Sequence, residues 1–302
     1  AVTQAAAAAA VPSLRLLHYS QVAFGRLDMA WQQANVQQQK LQQIQQEITS
    51  GCTLTVISGN LQIASLSNIS IDRLQVLTGS VLDLKGNQVF SNGLQVNSGI
   101  QISGRLRTSR VQGMYNGSNT AAINATSGAN ATGMNFLLLS NSTIEYYGSD
   151  NQIVTGIGVG IATSAAHKYY NLDINFQGTP NSEFAFPTDF PNGRSVFVRN
   201  KLNLVAGELN LDSDRNPGNG GGRSIIIERD SLTAIARVNG YIRSEVYDSS
   251  ASILWRVNSR LGSRVIPFGN SSTEYIPFTF NLTGGTCDTL IMSTYRTPTN
   301  TN

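Results

Sequence analysis

The residues best placed to do chemistry lie in LDSDRNPGNGGG (211–222). Asp212, Asp214 and Asn216 alternate as oxygen donors ahead of a glycine run, the layout of a calcium loop. The bidentate glutamate that closes such a loop is missing. The competing reading is an Asx-turn at a corner between strands, where the same side chains bond their own backbone. Sugar hydrolysis needs paired carboxylates. The chain has 18 acidic residues, mostly isolated along the sequence, and the one local cluster is that of Asp212, Asp214 and Asn216. The two histidines, His18 and His167, cannot build a multi-histidine metal site, and no G-x-S-x-G elbow surrounds a serine. There is no phosphate-binding loop and no dinucleotide fingerprint. No catalytic residue and no cofactor are therefore expected, and Asp212, Asp214 and Asn216 are the one metal candidate.

Tyr146-Tyr147, Tyr169-Tyr170 and Trp255 could form a platform on which sugars stack. Aromatics at strand positions more often fill a core. Cys52 and Cys287 have no metal spacing. A disulfide between them and two separate thiols are both open.

Charged residues make up 13 % of the 302 residues, and the net charge is +3. Basic residues are scattered, which argues against a nucleic-acid surface, where Lys and Arg must cluster. No apolar run approaches the roughly 18 residues of a membrane span.

Three kinds of segment would have to position any site. Residues 1–50 hold an Ala-rich stretch and then RLDMAWQQANVQQQKLQQIQQEIT (26–49), free of Gly and Pro. Leu27, Trp31, Ala34, Leu41 and Ile48 share one helical face, with Gln38 and Gln45 in the gaps. This predicts an amphipathic helix with a narrow stripe, packed on its own domain or docked on a neighbouring subunit. Gly51 ends it.

From Cys52 the period becomes alternating, with short strands separated by Gly, Asn and Ser. LQVLTGSVLDLKGNQVFSNG (74–93) and LQVNSGIQISGRLRTSRVQG (94–113) restate each other over 20 residues each, and KLNLVAGELNLD (201–212) restates part of the first. A repeat of this size with two or three strands is one coil of a solenoid, whose stacked coils bury a continuous apolar column. The expected fold is all-β: a β-solenoid, parallel β-helix-like, over 51–235, with an N-terminal helical arm over 1–50. An antiparallel, sandwich-like end domain follows over 236–302. Leu74, Val76, Leu82, Leu84, Leu94, Val96, Ile100 and Ile102 should point inward.

The segments IEYYGSDNQIVTG (144–156), HKYYNLDINFQG (167–178) and KLNLVAGELNLD (201–212), followed by NGYIRSEV (239–246) and RVIPFGNSSTEYIPFTFNL (264–282), resemble in order the repeat passages of large secreted Bacteroidetes proteins exported by the type IX system. The resemblance covers about residues 140–300. It implies a non-catalytic β-solenoid surface protein of adhesin-like kind, located outside the cell. It also implies O-glycans on Asp-Ser/Thr-aliphatic sequences, here Ser231 in Asp230-Ser231-Leu232 and Thr289 in Asp288-Thr289-Leu290.

The expected function is a structural or adhesive surface protein, including a self-assembling filament subunit. Expected partners are surface glycans and further copies of the chain, joined through the stripe Leu27, Trp31, Leu41 and Ile48. A β-helix enzyme or binding protein acting on carbohydrate, and a phage-type fibre or spike, are the alternatives.

Overall fold

A computed structural model describes residues 53–63, 69–71, 73–87, 89–91, 100–111, 113–114, 122–125, 136–149, 152–154, 168–176, 183–185, 196–211, 224–244, 251–270 and 274–294. The helical segment 26–49, with Leu27, Trp31, Leu41 and Ile48, falls outside them. So do Leu94, Val96, Asp212, Asp214, Asn216, Cys52 and both histidines. The described residues are all-β, with no helix among them.

The strands come in sets. The first is β1 (Thr53–Val56), β2 (Asn60–Gln62) and β3 (Ile69–Ile71), and the second is β4 (Arg73–Val76), β5 (Val81–Asp83) and β6 (Val89–Ser91). The third is β7 (Ile100–Ile102), β8 (Arg105–Thr108) and β9 (Ile123–Ala125), and the fourth is β10 (Phe136–Leu138), β11 (Thr143–Tyr146) and β12 (Gln152–Ile153). Then follow β13 (Tyr169–Asn175), β14 (Glu183–Ala185), β15 (Val196–Ala206), β16 (Glu208–Asn210), β17 (Ile225–Ile227), β18 (Ile235–Arg237), β19 (Tyr241–Arg243) and β20 (Ile253–Arg256). The last are β21 (Gly262–Ile266), β22 (Phe278–Leu282) and β23 (Thr289–Met292).

Strands bond between sets. One sheet runs β1-β4-β7-β10, another β3-β6-β9, a third β12-β14-β16-β19. The long sheet runs β2-β5-β8-β11-β13-β15-β17-β20-β23 with β18 also on β15. Every pairing from β1 to β20 is parallel. Among the strands of the described residues antiparallel pairing appears at β20-β23 and β21-β22, beside an isolated antiparallel bridge between Gly269 and Tyr275. It was expected from residue 236, yet β19 and β20 still continue the parallel ladders.

The register corrects the sequence repeat. Leu74 and Val76 stand opposite Ile100 and Ile102, not opposite Leu94 and Val96 as two equal 20-residue blocks require. Facing residues Thr55 and Gln75 are 20 apart in the chain, Gln75 and Gln101 are 26 apart, and Arg107 and Glu145 are 38 apart. The backbone satisfies its hydrogen bonds at the strands, so excursions between strands can vary in length without disturbing the parallel ladders. Leu74, Val76, Leu82, Leu84, Ile100 and Ile102 are all buried as expected, none more than 5 % exposed.

What recurs instead is a corner. Ile57-Ser-Gly-Asn60, Leu77-Thr-Gly-Ser80 and Leu139-Ser-Asn-Ser142 each link the first strand of a set to the second. Gly59, Gly79 and Asn141 there take φ of 74°, 80° and 73°, the left-handed region that Gly and Asn tolerate. The third set makes the corner with Ser103-Gly104 alone. A Cβ on Gly104 would lie 2.3 Å from the Leu77 carbonyl oxygen and 2.4 Å from that of Ser80. The LVAGEL turn at Gly207 resembles the one at Gly79, but joins the long sheet to the β12-β14-β16-β19 sheet. The sequence likeness is that of a strand–turn–strand and not of a position in the stack.

Arg264 is fully buried, with its guanidinium donating to the carbonyls of Arg260 (2.8 Å), Asp230 (3.3 Å) and Gly262 (3.3 Å). It lies 5.8 Å from the ring centre of buried Trp255, whose Nε1 donates to the Arg229 carbonyl at 2.9 Å. Burial pulls the Arg264 pKa down, since desolvation opposes its charge.

Val76→Asp puts a carboxylate between Val56 and Ile102 and should destabilise by several kcal/mol. Gly104→Ala should cost about 2 kcal/mol or more, because the atoms it meets are backbone. Urea melts of both variants check this, and either one unfolding like the parent contradicts the facing described above.

Candidate functional site

Alternation decides what the long sheet shows to the outside. In β8, Leu106 and Thr108 are fully buried, which turns Arg105 and Arg107 outward. The parallel register then lines up Asp83, Arg107, Glu145, Asp173 and Asn203 on one outer row. The neighbouring row is Val81, Arg105, Thr143, Asn171 and Lys201. Three carboxylates and two guanidinium groups thus meet on one face. This corrects the expectation that the acids are isolated: they are distant in sequence and adjacent in space.

Arg105 Nη1 lies 2.7 Å from both Glu145 Oε2 and Asp173 Oδ2. Arg107 Nη2 donates to Glu145 Oε1 at 3.2 Å, and its Nη1 is 3.6 Å from Asp83 Oδ2. Arg107 Nε is 2.9 Å from Glu145 Oε2, close enough for an ion pair, but its N–H is not aimed at the oxygen and makes no hydrogen bond. Asn175 Nδ2 donates to Glu145 Oε1 at 2.8 Å. Asp83 Oδ1 accepts from the Tyr147 hydroxyl at 2.6 Å and from the Lys85 amide at 2.9 Å. Arg107 also stacks 4.4 Å from the Tyr147 ring centre. The carboxylates are buried beneath the arginines, which keep one edge in water.

The charges respond unequally. Burial raises the Asp173 pKa, and the adjacent Arg105 charge only partly offsets this, while Glu145 adds repulsion. Burial acts to lower the Arg105 pKa, yet the two carboxylates hold it above its ordinary value. The same contact therefore favours the arginine's charge more than the aspartate's, because Asp173 is more deeply buried than Arg105. Burial, then the Asp83 hydrogen bond, pushes the Tyr147 hydroxyl up.

The aromatic candidates divide. Tyr146, Tyr169 and Trp255 are inside, and the Tyr146 and Tyr169 hydroxyls bond each other at 2.8 Å. Tyr147 faces out within the charged cluster, and Tyr170 sits beside Arg199, 5.7 Å away. The five rings do not form one platform. Glu208 is buried, accepting from the Tyr241 hydroxyl at 2.8 Å, with Arg243 at 3.7 Å. Ser231 lies on the turn before β18, its Oγ 3.2 Å from Thr233 Oγ1, and Thr289 is exposed on β23. Cys287 is a half-buried free thiol. Among the described residues no three acidic, His or Cys side chains are grouped to hold a metal.

Compared with protein-family models, curated proteins and solved structures, the chain matches none.

Chemically, the cluster is a set of acceptors already occupied by donors. Glu145→Ala removes the acceptor shared by both arginines and should destabilise by about 2–3 kcal/mol, discounted because Arg105 and Arg107 are partly solvated. Asp173→Asn should stay within about 1 kcal/mol of the parent at pH 7 or exceed it. A raised folded-state pKa means the folded protein binds the proton more tightly. The aspartate's contribution therefore declines as pH rises through the range above about 4, and any advantage of Asn fades on acidification. Denaturation of the two variants across pH 4–8 measures this. Asp173→Asn losing as much as Glu145→Ala contradicts it.

Proposed function

We propose that the chain is a β-solenoid scaffold of a non-catalytic structural or adhesive surface protein, working outside the cell. The observation that supports this most is the outer row Asp83–Arg107–Glu145–Asp173: charge on the long sheet is used to tie one strand to the next. A glycosidase needs two carboxyls flanking an open space, one of them free to give a proton. Here Glu145 and Asp173 converge on one guanidinium nitrogen at 2.7 Å each and are covered. The parallel ladders from β1 to β20, with strand sets of unequal length, support the solenoid reading. The resemblance to type IX export substrates supports the location. Partners in this reading are surface glycans and further copies of the chain. Ser231 and Thr289 are the proposed glycan carriers, and Thr289 is open to an enzyme on its edge strand.

The purified native protein should turn over no polysaccharide in a broad panel above the blank rate. Turnover abolished by Glu145→Gln or Asp173→Asn would replace this reading with an enzymatic one. Its intact mass should exceed the 32.4 kDa of the polypeptide by whole glycans. A bare mass removes the modification proposal.

A further inference from the structure

β21 and β22 form the one two-stranded sheet among the described residues, and β22 pairs there with β21 alone. Two strands by themselves are marginal in water and gain from a further strand. The inner face of the ribbon carries Arg264 and Ile266 opposite Phe280 and Phe278. Cover runs out across it. Ile266 is fully buried, Phe278 beside it is 45 % exposed, and Phe280 is half-buried. The outer face carries Ser263 and Val265 opposite Asn281 and Thr279, all four exposed.

β22 lacks the charge that usually guards a sheet edge. No acidic or basic residue occurs from Tyr275 to Cys287, and Pro277 stands just before the strand, where a missing amide does no harm. The strand is also complementary to itself. Laid antiparallel on a second β22 about a two-fold axis at Phe280, it sets Phe280 against Phe280 of the second copy. Phe278 then meets Leu282, and Thr279 meets Asn281. Opposed residues share a face, so rings and aliphatics meet on the inner side, hydroxyl and amide on the outer. The row Ile266–Phe278 gains Leu282 of the second copy as its next member. A register shifted by one would set apolar residues against polar ones and exchange the faces.

We propose that two copies of the chain associate through β22, giving a four-stranded antiparallel sheet β21-β22-β22-β21 centred on Phe280. This rests on the reading that copies of the chain associate, and names where they do so. The contact uses the same strand on both copies and so closes at two; a filament would need a second, different contact.

Sedimentation of the full chain under reducing conditions, from about 1 to 100 µM, tests it. The parent should pass from monomer to dimer with a Kd of roughly micromolar size, since five residue pairs make a small interface. Thr279→Asp with Asn281→Asp sets like charges opposite each other twice and should weaken the dimer roughly tenfold or more. Thr279→Lys with Asn281→Asp sets opposite charges at the same places and should match or exceed the parent. Both positions are exposed, so the melts of both variants should follow the parent. Ile291→Asp, on β23 at a residue 64 % exposed, should leave the dimer intact. A parent that stays monomeric overturns the inference together with the association of copies. A dimer that survives the Asp–Asp variant, or is lost equally in the Lys–Asp variant, overturns the β22 pairing alone. Loss with Ile291→Asp gives the contact to β23 and overturns it equally. None of these outcomes bears on polysaccharide turnover or glycan mass.

Discussion

The constraint on which the rest depends is that, from β1 to β12, strands bond only to strands of neighbouring sets. β4 pairs with β1 and β7, never with β5. A set of short strands has no internal ladder, so alone it would leave its backbone groups unpaired and its apolar side chains in water. Both needs are met by stacking. The inner row Leu54, Leu74 and Ile100 follows, and so does Val56, Val76 and Ile102. A residue that faces inward in one set must meet an inward residue in the next, because a slip by one position exchanges the two faces.

Corners inherit the same constraint. The chain must leave one sheet and enter another within a few residues while its amides still reach the set before. Leu77 donates to the Val56 carbonyl at 3.0 Å and Leu139 to that of Ile102 at 2.9 Å. Ser80 Oγ donates to the Val56 carbonyl at 3.0 Å. The left-handed residue permits the turn, and at the second corner Ser80 adds a side-chain bond to a carbonyl that the Leu77 amide also reaches, whereas the buried Ser142 Oγ of the fourth makes none. That is why the recurring signature is a corner of four residues.

Such local features are legible in sequence. Alternation and turn residues show the strands, and the burial of Tyr146, Tyr169 and Trp255 follows from their strand positions. Register is not legible. The LQV at 74–76 and the LQV at 94–96 look like partners, but the true partner of the first is IQI at 100–102. An intervening excursion shifts the count without changing the chemistry of either segment. The charged cluster was hidden for the same reason. Arg105 is 40 residues from Glu145 and 68 from Asp173, distances that no motif spacing covers. One trace of it existed: R-L-R-T in β8 and I-E-Y in β11 place opposite charges at outward positions of short alternating strands.

The two outer faces answer one problem in different ways. A strand stack needs its outward side chains to tolerate vertical neighbours about 4.8 Å away. Like charges in line would repel, so the long sheet alternates Asp83, Arg107 and Glu145, and admits Asp173 beside Glu145 only because Arg105 bridges both. The central outer row of the β1-β4-β7-β10 sheet uses Thr and Gln, with Thr55 bonded to Gln75 and Gln75 to Gln101 across neighbouring strands. Covering the ion-paired row would strip the remaining water from Arg105 and Arg107. Neutral amide rows carry no such penalty. The same outward positions that stabilise the stack therefore use ion pairs on one sheet and neutral side-chain hydrogen bonds on the other.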